Sequence, residues 1–156
     1  MTPAEPYTIS VSVHIDADPE RVFDYFTKPE ALLRWMGNYA ELDPVPGGRF
    51  TLDINGVPVR GRYLAVERPR RLLLSWGHAG SDRLPPGAST VEVTLTPRDR
   101  GTTVTIVHAG LPVPEARQHR LGWPHFLERL VVAGAGGDPG PDPWAEEPPA
   151  PAQPTR

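Results

Sequence analysis

Apolar and polar residues alternate through most of the first two thirds of the chain, and the alternation gives way twice to a helical spacing. From Thr8 to Ile15, Ile9, Val11, Val13 and Ile15 share one face, and Thr8, Ser10, Ser12 and His14 share the other. This period of two predicts a half-buried strand. Asp16-Ala17-Asp18-Pro19-Glu20 follows. Asp18 suits an N-cap, Pro19 the first helical position, and Glu20 the first turn, where the free N–H groups favour negative charge. The predicted helix buries Val22, Phe23 and Phe26. Pro29 ends it, because proline disfavours helical geometry at Lys28 and has no N–H to donate. A second short helix then carries Leu32, Leu33, Trp35 and Met36.

From Tyr39 the period returns to two. Pro46-Gly47-Gly48 forms a turn, and Phe50, Leu52 and Ile54 alternate after it. Asn55-Gly56 is a hairpin signal, since both residues tolerate positive φ. Val57, Val59, Gly61, Tyr63 and Ala65 continue on the far side, and Glu67 to Arg70 turns again. Leu72, Leu74, Trp76 and His78 form one face of the next strand. After a loop from Gly80 to Gly87, Val91, Val93 and Leu95 alternate with Thr90, Glu92, Thr94 and Thr96. Asp99-Arg100-Gly101 turns into a last strand ending at His108. A run of hairpins followed by a helix predicts an α+β domain with an antiparallel sheet.

That last helix is marked by Trp123, Phe126, Leu127, Leu130 and Val131, an apolar stripe at i, i+3, i+4, i+7 and i+8. Pro124 interrupts it. A proline inside a helix costs about 3 kcal/mol, so the pattern places Pro124 at a helix start or a kink. Gly122-Trp123 is then the junction, with a separate helical piece from Pro114 to Arg120. The expected domain is residues 1–133. Residues 134–156, rich in proline and glycine, have little to bury and predict a disordered or polyproline-like tail. Trp144 is its one apolar anchor, able to fold back onto the domain.

Composition narrows the function. The 156 residues include no cysteine, so disulfides, thiolate metal sites and a cysteine nucleophile are excluded; the chemistry fits a cytoplasmic protein. No apolar run approaches the roughly 20 residues of a membrane span, and residues 1–6 lack the basic and apolar regions of a secretory signal. A formal net charge of −3 offers no overall attraction to nucleic acid or an anionic membrane. No Gly-x-Ser-x-Gly elbow or Walker loop is present. His119 and His125 are six apart, not the i, i+4 spacing that pairs metal ligands on a helix face. No metal or cofactor is therefore expected.

A set of ordered landmarks carries a family resemblance. They are Ile15-Asp16-Ala17 before Pro19-Glu20-Arg21-Val22-Phe23, Pro29-Glu30 leading to Arg34-Trp35-Met36, and Pro46-Gly47-Gly48-Arg49-Phe50. Gly61, Val66-Glu67, Pro69 and Leu72 follow, then Trp76, Gly101-Thr102-Thr103-Val104-Thr105, His108, and Gly122-Trp123 with Leu127 and Leu130. The chain resembles the START-like, or helix-grip, superfamily, and within it the bacterial proteins similar to the C-terminal domain of the Hsp90 ATPase activator. The resemblance covers roughly residues 8 to 132. It implies a curved antiparallel sheet gripping the C-terminal helix, with a cavity between them.

That fold makes Trp35, Met36, Trp76, Trp123 and Phe126 candidate cavity walls, with Phe50, Leu52, Tyr63 and Leu127 beside them. His78 and His108 end strands on an apolar face, where a neutral imidazole orients a ligand or moves a proton; the plainer alternative is a core histidine bonded within the protein. The expected function is binding of an apolar small molecule without evident catalysis. Two alternatives stand beside it: a cyclase- or aromatase-like enzyme using a cavity His or Tyr63 as acid–base, and a protein-interaction domain. The oligomeric state is left open.

Overall fold

The computed structural model describes residues 7–147. Its order is β1 (Tyr7–Ile15), α1 (Pro19–Thr27), α2 (Pro29–Leu32), β2 (Tyr39–Leu42), β3 (Arg49–Ile54), β4 (Val57–Glu67), β5 (Arg71–His78), β6 (Ser89–Arg98), β7 (Gly101–Leu111) and α3 (Val113–Gly134), with a short 3-10 turn at Pro143–Ala145. The seven strands form one antiparallel sheet in the order β1-β7-β6-β5-β4-β3-β2. Strands β2 to β7 therefore meander by hairpins, and β1 closes onto β7. This is the α+β class expected, a curved open sheet with a C-terminal helix.

Local chemistry explains the elements. The Asp18 carboxylate accepts the Arg21 N–H at 2.9 Å and caps α1, with Pro19 in the first turn. Arg68 reaches from the β4–β5 turn to Glu20 and Asp24 and lies over the Phe23 ring, which ties α1 to the sheet. The strand alternation is interrupted twice, once where β7 slips against β1 between His108 and Leu111 and once within β4. A bulge between Tyr63 and Ala65 pairs Val66 with Leu72, so Val66 rather than Ala65 packs against the core. An extra residue in one strand reverses which side chains face inward beyond it.

Strand residues Leu72, Leu74, Val91, Val93, Leu95, Val104 and Ile106 are buried, as are Trp123, Phe126, Leu127 and Leu130 of α3. Full burial of such side chains contributes about 1.5–3 kcal/mol each. The end of α3 lies so close to β1 that a Cβ at Gly134 would sit 2.5 Å from Ile15. The Tyr25 hydroxyl donates to the Ala133 carbonyl at 2.9 Å and ties α1 to the same end.

Two expectations are corrected. The helix does not begin at Gly122-Trp123: α3 is continuous for 22 residues with Pro124 inside it. Pro124 lies on the exposed side with Arg120, so water can serve the carbonyl that loses its helical partner. The second concerns the expected tail. Residues 148–156 lie outside the described residues, but residues 138–147 run back over the domain. The Trp144 ring stacks on His125 at 3.6 Å and 7°. Asp142 accepts from His125 Nε2 at 2.8 Å and from Asn55 Nδ2 at 3.2 Å. Arg129 donates to the carbonyls of Trp35, Pro139 and Gly140. Polar anchors on α3 thus hold a strap whose composition promised little burial.

Candidate functional site

The sheet register brings Trp76 beside Ser89 and Val91 beside His108. Continuity of α3 brings Glu115, His119 and Trp123, four residues apart, down onto the same region. Three histidines meet there. The His119 ring stands edge-on to His108, with centroids 4.9 Å apart, and stacks with His78 at 5.6 Å. Trp76 touches His108, His119 and Trp123 at centroid distances of 5.4, 6.2 and 5.5 Å.

His108, fully buried, is spoken for at both nitrogens. Trp123 Nε1 donates to His108 Nδ1 at 3.0 Å. Indole N–H can only donate, so Nδ1 is unprotonated and the proton sits on Nε2. Nε2 therefore donates to Ser89 Oγ at 2.9 Å, and Ser89 donates to the Trp76 carbonyl at 2.8 Å. This chain closes only around a neutral ring. Burial, with His119 and His78 adding repulsion, pushes the pKa of His108 down to about 2.

His119 differs. Its Nδ1 lies 2.6 Å from the Glu115 carbonyl, which can only accept, so Nδ1 carries the proton and Nε2 the lone pair. Burial pushes its pKa down to about 4, partly offset by that bond. His78 is half-buried, and burial lowers its pKa too, against an opposing effect of Glu115. Around this trio two buried polar atoms have no hydrogen-bond partner among the described residues: Trp76 Nε1 and Glu115 Oε1. The other oxygen of Glu115 faces Arg83 at 3.4 Å. Arg83 belongs to the β5–β6 loop, which inserts Leu84 into the core and returns the Leu84 carbonyl to the His78 N–H at 2.7 Å. The site thus offers one N–H donor, one imidazole acceptor and one carboxylate oxygen. Among the described residues no group of three or more His, Cys, Asp or Glu is arranged to hold a metal ion.

A family model described as activator of Hsp90 ATPase homolog 1-like protein matches residues 16–134, a span that holds the sheet, α3 and the whole cluster. The chain belongs to this family. Its START-like resemblance is thereby placed on the same residues. No curated protein matches the chain. Among solved structures it is similar to an AHSA1-like protein from Rhizobium etli, with 40% identity and TM-score 0.71 over 90% of this chain and 89% of that one. CalU16 from Micromonospora echinospora is 30% identical, with TM-score 0.73 over 90% of this chain and 71% of that one. An Hsp90 activator from Plasmodium falciparum shares the fold at 22% identity, with TM-score 0.67 over 81% of this chain and 94% of that one.

Within this family fold, the sequence candidates divide into two groups. Phe50, Tyr63, Trp76, His108 and Trp123 form a continuous aromatic chain, with Phe50 5.7 Å from Tyr63 and 5.9 Å from Trp76. His78 adjoins it through His119. Trp35 lies elsewhere, edge-on to Phe26 with its N–H on the Tyr25 carbonyl, and Met36 is buried next to it in the chain. Leu52 packs at Gly37, just beyond α2. Phe126 faces His125 and Trp144, and Leu127 is fully buried. The Tyr63 hydroxyl donates to the Phe26 carbonyl at 2.9 Å, and burial raises its pKa; it is a bonded core group. Sequence reading missed His119, Glu115 and Ser89. The signal for the first two was the i, i+4, i+8 series with Trp123, lost when the helix was broken at Gly122.

Proposed function

We propose that this family member is a cytoplasmic binding domain for an apolar small molecule, held where α3 crosses the concave face of the sheet. The carrying observation is the pair of buried, unpartnered polar atoms, Trp76 Nε1 and Glu115 Oε1. Leaving such a group without a partner costs about 1–3 kcal/mol each, and a ligand that bonds both recovers that cost. Trp76 asks for an acceptor; Glu115 and His119 Nε2 ask for a donor. A planar molecule carrying a carbonyl and two neighbouring hydroxyls meets all three, while Trp76 and Trp123 supply apolar contact. His108 acts behind them by holding Trp123 in place.

The test is native mass spectrometry of the purified protein with solvent extraction, followed by titration of a hydroxyflavone probe by tryptophan fluorescence. Trp76→Phe keeps an aromatic ring and removes the N–H. The expected result is saturable binding weakened about tenfold or more in that variant. Equal affinity in both proteins would move the ligand away from this site.

A second reading is a chaperone partner. The family description and the Plasmodium falciparum relative support it, the latter by fold alone. Stimulation of an Hsp90 ATPase by the purified chain, unaffected by Trp76→Phe, is the outcome that would favour it.

A further inference from the structure

The outer face of the sheet, which the interior site does not use, carries a groove of about 350 Å3 across β3, β4 and β5. The register sets Arg49 opposite Arg62 and Thr51 opposite Arg60. Their side chains alternate with inward-facing Phe50 and Leu52, so all four lie on the outer face. Pro86 and Gly87 wall the other side, and Ser75 lies between.

Like charges directly opposite one another in an antiparallel pair are destabilising. Neither Arg49 nor Arg62 forms an ion pair among the described residues. Arg62 is aimed by a different contact, donating from Nη1 to the Gly47 carbonyl at 2.9 Å. Arg60 is held by Asp53 at 2.8 Å. The Ser75 hydroxyl accepts the Arg62 N–H at 2.9 Å and keeps its own proton to donate. Asp53 and, one strand further, Glu41 opposite Thr51 are the carboxylates on this part of the face. The lining itself contains three guanidinium groups and two hydroxyls, and no carboxylate.

The geometry points to an oxyanion-binding site, with the facing Arg49 and Arg62 gripping a phosphate or carboxylate group of a small soluble molecule while Thr51 and Ser75 add hydrogen bonds. A planar guanidinium presents parallel N–H donors that match either anion. An anion between the two arginines offsets their mutual repulsion.

The test titrates pyrophosphate and citrate separately into the full chain, followed by calorimetry and amide NMR shifts. Saturable binding is expected, with shifts at residues 49–51, 60–62 and 75, and with affinity falling as salt is added. Arg49→Gln/Arg62→Gln should weaken binding about tenfold or more. Stronger binding of pyrophosphate assigns the phosphate class, and stronger binding of citrate the carboxylate class. Where the double variant does not fold, Arg49→Gln alone serves, since no ion pair holds that guanidinium. The absence of saturable binding of both probes, or an affinity unchanged in the variant, overturns the proposal.

Discussion

Two of the histidine–tryptophan pairs in this molecule, one at the interior site and one at the strap, do opposite things. Inside, His108 stands edge-on to Trp123, accepts its N–H and donates its own N–H to Ser89. Outside, His125 stacks flat on Trp144 and donates to Asp142, 13% exposed, from a side chain 17% exposed. The interior pair has no carboxylate bonded to the imidazole, so the ring is locked neutral. The exterior pair has one, Asp142, at 2.8 Å from His125 Nε2. For Asp142, burial works to raise its pKa, but the Trp144 N–H, His125 and Asn55 outweigh burial and lower it. The same residue types thus make a rigid core in one place and a polar clasp in the other. Hydrogen-bond partners and access to water decide which.

The contrast breaks most sharply under truncation of the aromatic rings. Trp123→Ala should cost about 3–5 kcal/mol in urea unfolding, from cavity formation and the orphaned His108 acceptor. Trp144→Ala should cost about 1 kcal/mol or less. Similar losses would mean the strap is part of the core.

Acid is the next largest effect. His108 and His119 have folded pKa values below the ordinary 6.5, so the unfolded chain binds more protons and stability is complete only above about pH 6.5. It falls as pH drops from there toward the folded values, by about 1.4 kcal/mol per pH unit for each histidine. Between pH 7 and 5 the sum is about 4 kcal/mol. Asp24 and Asp142 act elsewhere. Burial opposes but does not prevent the lowering at Asp24 by Arg68 and Lys28, and both carboxylates lose their contribution only as pH falls below about 4. His119→Phe should flatten the slope between pH 6.5 and 5 in chemical denaturation. An unchanged slope would remove His119 from the buried cluster.

His108→Leu should cost about 2–3 kcal/mol, because Trp123 Nε1 and Ser89 Oγ each lose a partner. A loss below about 0.5 kcal/mol in the same assay would contradict the closed hydrogen-bond chain. The smallest effect belongs to the strap. Removing residues after Gly137 should lower Tm by about 3–6 °C, a cost of about 1–2 kcal/mol. Asp142→Asn should account for only part of it. A melting temperature unchanged by truncation would show that the clasp is not formed in solution.

Strand and helix order were legible because they follow from local periods and turn chemistry. Asp18 caps α1, Asn55-Gly56 turns β3 into β4, and the inward strand residues are those that alternation selects. The bulge near Tyr63 escaped, since no glycine or proline marks it. Pro124 misled for a definite reason. Its propensity cost is real, but solvent at Arg120 and burial of Trp123, Phe126 and Leu127 on the opposite side outweigh it.

What the sequence determined by itself was therefore the class of fold, the strand faces and the aromatic membership of the core. These need only the chain's own periodicity and its likeness to a family. Tertiary structure alone decided which polar groups meet. It alone could show that His119 joins His78 and His108, that Tyr63 is bonded to a backbone carbonyl, and that Trp144 finds His125. Each of those meetings joins residues of different elements, from successive ones such as β7 and α3 to the distant α1 and β4. Their chemistry depends on distances of a few ångströms, on which nitrogen holds the proton, and on whether water reaches it.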